Sequence, residues 1–410
     1  MKVRHALLIG TGGFGRNHLN ELVRLQDEGV LALGAVSDLR FTEHAAAIVA
    51  ERGLRHYSDY REMLANEKAA DFVIISTPIA LHAPMCIDAL EAGYHVLLEK
   101  PPGAVIQDVD RILEAVCRTG KLCGVNFFTP SSEALELIER TVGTGEIGQV
   151  RGIKGLALLT RTSAYYRRTP WAGKLMSGGN LVMDGAFHNP AAHLLYSMLK
   201  LSELLAGAAA PSVAPSRVTA ELYHANPIDS DDTSAIRIGM SDGTEIHFYV
   251  TLCAKRTEQQ RIRIEGTEGM LEWTYDNQVT VWRDGAIVSQ RECREEGKGI
   301  MERRYRNLIR AIEGTDRLDV SLESARKFTL AANGAFESAV RIKPIASSRV
   351  QTSESSEEPG AYIEGIESTI KEAFASGKLF SEMGVPWAEP SVPFELTEYR
   401  SFPRRFELGR

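Results

Sequence analysis

Residues near the start of this chain have the types and spacing that hold the phosphates of a dinucleotide. An apolar run over residues 3–9 leads directly into Gly-Thr-Gly-Gly-Phe-Gly at residues 10–15. Between a strand and a helix, the first glycine permits a tight turn, the second lets backbone N–H groups approach a pyrophosphate, and the third lets the helix pack on the strand. The helix N-terminus adds N–H donors and a partial positive charge. The cofactor-binding residues predicted here are Gly10, Gly12, Gly13, Phe14 and Gly15.

An acidic residue follows these glycines where a ribose ligand is expected. A predicted helix over residues 16–26 precedes a second strand over residues 31–36, and Asp38 follows that strand, about 20 residues past the glycines. A carboxylate accepts hydrogen bonds from the ribose diol and repels a 2′-phosphate, so Asp38 favours NAD. Arg40 could pair with that phosphate, which leaves NADP open as the alternative.

Further polar residues follow the third and fourth apolar strands, predicted over residues 71–76 and 94–98. A lysine just beyond a buried parallel strand would stand beside a nicotinamide, where the cationic ring and partial burial favour the neutral amine that a general base requires. The alternative interpretation is that Glu99 and Lys100 form a surface ion pair before a proline turn. The cofactor-binding residues predicted at these strand ends are Ser76, Thr77, Pro78, His82, Glu99 and Lys100.

Another candidate pair, Asp184 and His188, lies much later in the chain. If this segment is helical, residues four apart share a face, and a carboxylate near an imidazole raises its basicity and orients it for acid–base catalysis on a hydroxyl. The alternative is that Asp184 caps a helix and His188 packs against the sheet. No metal site is predicted, because His188 and His193 are five apart with no cysteine or third histidine close in sequence. The acidic run with Asp229, Asp231 and Asp232 is interpreted as a turn before a strand.

Composition indicates a globular protein with two domains. The 410 residues exceed one ordinary core, and 44% hydrophobic and 25% charged residues are typical of globular chains. A net charge of −7 without a basic stripe argues against nucleic acid as a partner, and no apolar stretch is long enough to cross a membrane. The start of the chain does not resemble a signal peptide, and five cysteines without a C-x-x-C pair indicate reduced thiols. We therefore expect a cytoplasmic protein.

Hydrophobic patterning predicts a different fold class for each part of the chain. Up to residue 128, continuous apolar strands alternate with amphipathic helices, as in an α/β Rossmann domain with a doubly wound parallel sheet. Beyond residue 128, consecutive alternating runs and the turn signal Asp242-Gly243 predict an α+β domain with a large, mostly antiparallel open sheet. Strands are predicted over residues 150–160, 217–223, 234–240, 245–253, 260–265, 270–273 and 279–283.

These patterns also predict domain boundaries. The dinucleotide-binding domain covers residues 1–128, and the substrate-binding and oligomerisation domain covers residues 129–345. Helices are predicted near residues 301–313 and over residues 322–341, the latter packing back toward the first domain. Residues 346–360 form an acidic linker that contains the Ser/Glu run 353–358, and residues 361–410 form a C-terminal helix at 363–375 and an extended tail.

Taken together, these motifs resemble the Gfo/Idh/MocA family of oxidoreductases, named after glucose–fructose oxidoreductase and inositol dehydrogenase. The resemblance extends beyond the glycines to residues 76–82, 92–101, 145–150, 171–174, 178–179, 184–188 and 266–271. It implies an NAD-binding Rossmann domain and a second domain whose open sheet forms the substrate floor and often the oligomer interface. It also implies hydride transfer between C4 of a nicotinamide and a hydroxyl or keto carbon of a sugar, polyol or related small molecule.

The resemblance assigns roles to three residues. Lys100 would hydrogen-bond the reacting oxygen, His188 would take or give its proton, and Asp184 would position the substrate or the histidine. The chain departs from the family pattern after His188, where a common carboxylate is missing, and after the sixth strand, where residues 126–130 lack a frequent arginine. Both departures concern substrate recognition. The predicted substrate-binding residues are Asn126, Arg161, Tyr166, Trp171, Lys174, Asn189 and His193.

Two other functions stay open at this point. Some relatives cleave glycosidic bonds by transient oxidation with a recycled nicotinamide, and would show product without net cofactor reduction. Others bind a dinucleotide only to regulate a partner, although joint retention of Lys100, Asp184 and His188 argues against a non-catalytic role. Expected partners are a small sugar-like or polyol-like substrate and, by family analogy, further copies of the chain in a homodimer or homotetramer.

Overall fold

The computed structural model describes residues 3–207, 212–352 and 359–408, and the chain divides into two compact units. The first unit comprises residues 1–127 and 296–326, and the second comprises residues 128–295 and 327–410. The predicted Ser/Glu run at residues 353–358 lies outside the described residues. None of the helices described is both long enough and apolar enough to span a bilayer.

The strands are β1 (Arg4–Ile9), β2 (Leu31–Ser37), β3 (Arg55–Tyr57), β4 (Phe72–Ile75), β5 (His95–Leu98), β6 (Cys123–Val125), β7 (Val150–Leu158), β8 (Met176–Ser177), β9 (Asn180–Leu181), β10 (Pro215–His224), β11 (Thr233–Met240), β12 (Glu245–Thr251), β13 (Arg261–Gly266), β14 (Gly269–Thr274), β15 (Gln278–Arg283), β16 (Ala286–Glu292), β17 (Lys343–Pro344), β18 (Val350–Thr352), β19 (Ala361–Ile363) and β20 (Phe394–Glu395). The helices are α1 (Gly15–Asp27), α2 (Glu43–Arg52), α3 (Tyr60–Asn66), α4 (His82–Glu91), α5 (Ile106–Thr119), α6 (Ser132–Gly143), α7 (Ser163–Arg167), α8 (Ala192–Ala206), α9 (Ile300–Ile312), α10 (Leu322–Ala339) and α11 (Ile366–Ser376).

The first unit contains a six-stranded parallel sheet in the order β3-β2-β1-β4-β5-β6. Strand β4 is buried along its whole length, as the unbroken apolar run predicts for a parallel sheet covered on both faces. The strand order reverses at β1, so the carboxyl ends of β1 and β4 flank the position where such sheets bind ligands. The predicted Rossmann architecture is confirmed.

The return segment, residues 296–326, belongs to the first unit, whereas the sequence pattern placed it in the second domain. Tyr305 and Leu308 of α9 are buried in the same hydrophobic core as Leu19 and Leu22 of α1. Amphipathic periodicity reveals that a helix has an apolar face, but it does not reveal which core that face joins.

The second unit contains a ten-stranded mixed sheet in the order β16-β15-β14-β13-β7-β12-β11-β10-β17, with β20 also pairing with β10. Strands β7 and β12 pair in parallel, as do β10 and β17, and the other neighbours are antiparallel. The turn at Asp242-Gly243 joins β11 to β12 in a hairpin, as predicted. The large, mostly antiparallel sheet is therefore confirmed.

The C-terminal segment covers part of this sheet. Phe374 of α11 and Phe380 beyond it are buried in one cluster with Leu156 of β7 and Tyr249 of β12. The Lys154 Nζ donates to the carbonyl oxygen of Ala375 at 3.0 Å. The predicted linker is partly ordered as well, because β18 pairs with β19 on either side of the Ser/Glu run.

Candidate functional site

The glycine turn in the first unit has free space around the backbone at Gly12, whereas other backbone atoms crowd Gly10 and Gly15. Gly10 has a φ of +88°, and a Cβ there would lie 2.1 Å from the carbonyl oxygen of Ser76. A Cβ at Gly15 would lie 2.1 Å from the carbonyl oxygen of Gly10. A Cβ at Gly12 would meet no heavy atom of the described residues within 4 Å, apart from its chain neighbours. Packing therefore requires the outer glycines, and the middle glycine leaves space for a ligand.

A buried hydroxyl beside this turn supports the same conclusion. Thr77 Oγ1 is buried and has no hydrogen-bond partner within the described part of the chain. The Cγ2 of Thr77 lies 3.1 Å from the Cβ position of Gly10, which places the side chain at the glycine turn. Gly13 has a φ of +52° and Phe14 is exposed at the start of α1. A buried hydroxyl without a partner costs free energy unless a ligand supplies one, so these residues fit a bound dinucleotide.

Asp38 is fixed against the glycine turn. Its Oδ2 accepts hydrogen bonds from the backbone nitrogen of Thr11 at 2.7 Å and from Thr11 Oγ1 at 2.8 Å. Its Oδ1 accepts from the backbone nitrogen of Arg40 at 3.2 Å. An ionised carboxylate has about four acceptor positions, so the three bonds orient the group and leave capacity for a ribose hydroxyl.

His82 joins the loops that follow β4 and β5. Its Nδ1 lies 2.9 Å from the carbonyl oxygen of Pro101, and its Nε2 lies 2.8 Å from the carbonyl oxygen of Thr77. The ring is buried, and burial lowers the pKa of His82. His82 thus connects the backbone of two segments that the sequence predicted to contact the cofactor, Ser76-Thr77-Pro78 and Glu99-Lys100.

Glu99 lies in the interior of the first unit, so the surface ion pair considered from the sequence is wrong. The residue is 8% exposed, and its Oε1 accepts hydrogen bonds from His18 Nε2 at 2.8 Å and from Asn126 Nδ2 at 2.6 Å. Its Oε2 accepts from the backbone nitrogen of Lys100 at 3.1 Å. On the other side of the His18 ring, Nδ1 is hydrogen-bonded to the hydroxyl of Tyr305.

Electrostatics determines the protonation of this network. Burial alone raises the pKa of Glu99, but the hydrogen bond from His18 and its charge, the hydrogen bond from Asn126 and the charge of Lys100 outweigh burial and hold that pKa below its usual value. Glu99 is therefore ionised and accepts the Nε2 proton of His18. Burial raises the pKa of Tyr305, whose hydroxyl is hydrogen-bonded to His18 Nδ1. Asn126, a predicted substrate ligand, is buried here with its amide nitrogen on Glu99.

In the second unit, Asp184 is held by three donors. The segment after β9 forms a turn and not a helix, so the condition for a shared helical face is not met. Asp184 Oδ2 accepts from Arg168 at 3.0 Å and from the backbone nitrogen of Gly173 at 2.8 Å, and Oδ1 accepts from Asn189 Nδ2 at 2.5 Å. The carboxylate is 6% exposed, and it caps no helix. Asn189, a predicted substrate ligand, is thus brought into direct contact with Asp184.

His188 lies among aromatic rings at the end of this turn. It is 1% exposed, and its ring centroid lies 6.3 Å from that of Phe187, 5.7 Å from Phe328 and 6.4 Å from Phe336. These rings restrict the orientation of the imidazole and exclude water from its faces.

Arg168 is a functional candidate that the sequence analysis missed. Its guanidinium lies 3.7 Å from the ring centroid of Tyr165 and 5.1 Å from that of Trp171, and it pairs with Asp184 at 3.0 Å. Arg161 lies over the same Tyr165 ring at 5.1 Å. The sequence contains a run rich in arginine and aromatic residues here, but spacing alone does not select which of three arginines reaches Asp184.

The remaining predicted substrate ligands are distributed around the second unit. Tyr166 is partly buried, and its hydroxyl has no hydrogen-bond partner among residues 3–207, 212–352 and 359–408. Lys174 extends to Asp229 at 3.3 Å, with both side chains about half exposed. His193 stacks on Phe128 at 4.4 Å and accepts its backbone N–H at 3.1 Å. The structure therefore does not bring Lys174 or His193 into hydrogen-bond contact with Asp184.

Behind the Asp184 turn lie Asp231 and Asp232 of the acidic run, and both are buried. A Cβ at Gly185 would lie 1.8 Å from Asp231 Oδ1, and the backbone nitrogen of Ala186 donates to the carbonyl oxygen of Asp231 at 3.0 Å. Burial, with the neighbouring Asp232 carboxylate, raises the pKa of Asp231 to about 7 against the hydrogen bond from Ser234. In the described part of the chain, no group of three or more His, Cys, Asp or Glu side chains is arranged to hold a metal ion.

Two family models match this chain. Residues 4–127 match a model described as "Oxidoreductase family, NAD-binding Rossmann fold". Residues 135–272 match the GFO/IDH/MocA C-terminal domain. The two matches lie in sequence order and together cover most of both predicted domains.

Two curated dehydrogenases are similar to this chain in sequence. The chain is 31% identical over 141 residues to 4-carboxy-2-hydroxymuconate-6-semialdehyde dehydrogenase of a Sphingobium species, covering 34% of this chain and 43% of that protein. It is 29% identical over 188 residues to scyllo-inositol 2-dehydrogenase (NAD(+)) of Bacillus subtilis, covering 46% of this chain and 52% of that protein. The chain thus spans about half the length of these curated relatives.

A solved structure shows the same fold. The WlbA dehydrogenase of Bordetella pertussis, in complex with NADH and UDP-GlcNAcA, superposes with a TM-score of 0.66 at 22% identity. The superposition covers 82% of this chain and 97% of that structure.

Proposed function

We propose that this chain, which belongs to the GFO/IDH/MocA oxidoreductase family with an NAD-binding Rossmann fold, is an NAD(P)-dependent dehydrogenase acting on the CH–OH group of a sugar, polyol or related small molecule. Both curated relatives named above are dehydrogenases, and one of them acts on an inositol. The bound nicotinamide supplies the hydride acceptor or donor, and the protein supplies orientation and proton transfer.

Residues of the first unit would hold the cofactor. The backbone at Gly12 and the hydroxyl of Thr77 offer donors to the phosphates, and the glycines on either side shape the turn. Asp38 would accept hydrogen bonds from the adenosine ribose and so favour NAD over NADP. Lys100 would donate a hydrogen bond to the reacting oxygen. Its backbone nitrogen is held in place, because it donates to the side chain of Glu99.

Residues of the second unit would handle the substrate and its proton. His188 would accept the hydroxyl proton during oxidation and return it during reduction. Asp184 would orient the substrate, since Arg168, Gly173 and Asn189 already fix its carboxylate. The catalytic proposal rests on one observation: the buried carboxylate of Asp184 is held by three donors and is followed four residues later by the buried His188. A protein that only senses NAD would not need such a pair.

Substitution of the two proposed proton-handling residues tests the function. Lys100→Ala and His188→Ala should each reduce turnover by about 100-fold or more, since positioned acid–base groups contribute factors of this order. NADH binding, measured by titration of its fluorescence, should persist in both variants. Unchanged turnover in both would contradict the assigned roles, provided that a panel of sugars and polyols with NAD and NADP has first identified a substrate.

The same panel addresses the alternatives. Net reduction of the cofactor supports a dehydrogenase, whereas cleavage of a glycoside without net reduction would support the glycosidase with transient oxidation. Cofactor binding with no turnover of any substrate would support the regulatory protein. A cytoplasmic location stays a prediction from cysteine usage and the start of the chain, and a homodimer or homotetramer stays a prediction of the family resemblance.

A further inference from the structure

We propose that the substrate carries a carboxylate, which the guanidinium of Arg161 binds within the second unit. This inference rests on the proposed function and narrows it from hydroxylated small molecules in general to sugar acids or polyol acids. It follows from the contacts of two arginines that lie against the Tyr165 ring.

Two arginines and one aromatic ring form the relevant cluster. The guanidiniums of Arg161 and Arg168 lie 5.1 Å and 3.7 Å from the centroid of the Tyr165 ring. Arg168 is neutralised, because it pairs with Asp184 at 3.0 Å. Burial and the charge of Asp184 raise the pKa of Tyr165 to about 12, against the opposing effect of the two arginines. Arg161 therefore lies against the same ring as the arginine that pairs with Asp184.

Arg161 differs from Arg168 in having no counter-ion among the described residues. Its Nη1 donates to the carbonyl oxygen of Thr160 at 3.0 Å, and no ion pair joins it to any residue that the structure describes. The nearby cation of Lys174 is neutralised by Asp229 at 3.3 Å. A guanidinium has five N–H donors in a planar fork, and a partly buried one with donors to spare matches a carboxylate in a bidentate geometry.

The backbone at Arg161 is held firmly enough to place this charge. Its own nitrogen donates to the carbonyl oxygen of Leu252 at 3.0 Å. The preceding residue, Thr160, donates through Oγ1 to the carbonyl oxygen of Ala254 at 2.8 Å, and its backbone nitrogen donates to Thr257 Oγ1 at 3.0 Å. A cation on a fixed backbone loses little entropy when it binds an anion. A single guanidinium that forms no ion pair with a described residue matches one singly charged carboxylate.

Binding of matched ligand pairs to the NADH-bound protein tests this inference without requiring turnover. Calorimetry would compare D-gluconate with D-glucitol, D-glucuronate with D-glucose, and D-glucose 6-phosphate with D-glucose. We expect at least one acid to bind about 10-fold or more tightly than its neutral partner, and this preference to fall as sodium chloride is raised. If no acid is preferred, or if the phosphate ester binds more tightly than both acids, the proposal is overturned.

Variants of Arg161 assign the preference to its side chain. Arg161→Gln should weaken binding of the acid by about 10- to 100-fold and leave the neutral partner within about 3-fold, while Arg161→Lys should retain part of the preference. Arg217→Gln removes an exposed charge from the same unit and should change neither. Equal weakening of acid and neutral ligands by Arg161→Gln would show a structural role with Tyr165 and contradict the proposal. Absence of turnover together with preferential acid binding would instead contradict the dehydrogenase function and leave this inference standing.

Discussion

His18 Nε2 lies 2.8 Å from Glu99 Oε1 in the interior of the first unit. This hydrogen bond joins the helix that follows the glycine turn to the residue that precedes Lys100. Tyr305 on α9 and Asn126 beyond β6 complete the network, and all four side chains are buried. The hydrogen bonds of Glu99 to His18, Asn126 and the backbone N–H of Lys100 restrain this part of the backbone, although Asn126 Oδ1 is buried without a partner among the described residues. Through Glu99 the network thus holds the backbone of Lys100, which we propose to hydrogen-bond the reacting oxygen.

Replacing Glu99 tests the contribution of this network to stability. We expect Glu99→Gln to lower the free energy of unfolding at pH 7 by about 3–5 kcal/mol, as for the loss of one partner from a buried charged pair. Because the pKa of Glu99 is lowered in the folded protein, its stabilisation is present above the ordinary value of 4.5 and is lost as the pH falls through the folded pKa. Urea unfolding should therefore show a larger difference between wild type and variant at pH 7 than at pH 4.

Tyr305→Phe is the matched control for this prediction, because it removes one hydroxyl at the far end of the network and keeps the ring in its core. It should cost about 1 kcal/mol, with little dependence on pH in this range. Equal destabilisation by Glu99→Gln at both pH values would show that folding does not lower the pKa of Glu99, and it would contradict the assigned electrostatics.

The glycine turn yields a prediction that separates packing from ligand binding. Gly12→Ala should leave the free energy of unfolding within about 1 kcal/mol of wild type, since the added methyl group has free space, and should weaken NADH binding by about 10-fold or more. Gly10→Ala should destabilise the fold itself, because its Cβ would overlap the carbonyl oxygen of Ser76 and its φ is +88°. Unfolding curves and NADH titrations of the two variants measure this contrast. Intact NADH binding by Gly12→Ala would contradict the assignment of the glycine turn at residues 10–15 as the phosphate-binding site.

Asp38 should determine the choice of cofactor. Asp38→Asn removes the negative charge that opposes a 2′-phosphate and keeps an oxygen for the backbone nitrogen of Thr11. We expect the ratio of NADPH to NADH affinity to rise by about 10-fold or more, with Arg40 free to approach the added phosphate. Fluorescence titrations with both cofactors measure the ratio. Arg40→Ala in the Asp38→Asn background should reverse the gain, and wild-type protein that already prefers NADPH would contradict the assignment.

The sequence predicted the first unit closely, because its signals are local. Glycine spacing and fully buried apolar strands each indicate one feature, and the first helix, expected over residues 16–26, is found at Gly15–Asp27. Helix α8 was not predicted, because it is buried on most sides and lacks the amphipathic contrast that marks a surface helix. Membership of residues 296–326 in the first unit depends on contacts with α1 that no local pattern encodes.

The sequence pointed to candidate site residues, but it did not indicate which contacts those residues make. Asp184 and His188 were identified through a helical spacing that the structure does not adopt, and the segment is a turn. The partners of Asp184 depend on which of several arginines reaches it, and this is a property of the folded chain alone. His18 was overlooked because its partner Glu99 lies 81 positions away in the sequence.

Arg168 should matter for turnover even though the resemblance assigned it no role. Arg168→Met leaves the buried Asp184 carboxylate without its counter-ion, so we expect kcat to fall by about 10- to 100-fold. Arg168→Lys should recover only part of this loss, because an ammonium group does not reproduce the planar contact with the Tyr165 ring. Arg283→Gln, which removes an exposed pair with Glu268 in the same unit, is the control and should leave kcat unchanged. Retention of full kcat by Arg168→Met would show that the ion pair with Asp184 is not needed for turnover.

Asp231 should make the stability of the protein depend on pH in the neutral range. Its folded pKa of about 7 lies above the ordinary value of 3.8, so the stability that its neutral form contributes is complete below about pH 4 and is lost as the pH rises through 7. The side chain of the Asp231→Asn variant cannot ionise, so the free energy of unfolding of the variant relative to wild type should increase between pH 5 and pH 8. The increase should be at most a few kcal/mol, because one pKa unit corresponds to about 1.4 kcal/mol. Urea unfolding at these pH values measures the change, with Asp229→Asn as the control because that carboxylate is half exposed. Parallel stability curves for wild type and Asp231→Asn would mean that Asp231 is already ionised at pH 5. The Asp184 turn packed against it would then lie on a buried charge, which the hydroxyl groups of Ser230 and Ser234 and the backbone N–H of Ala186 are positioned to compensate.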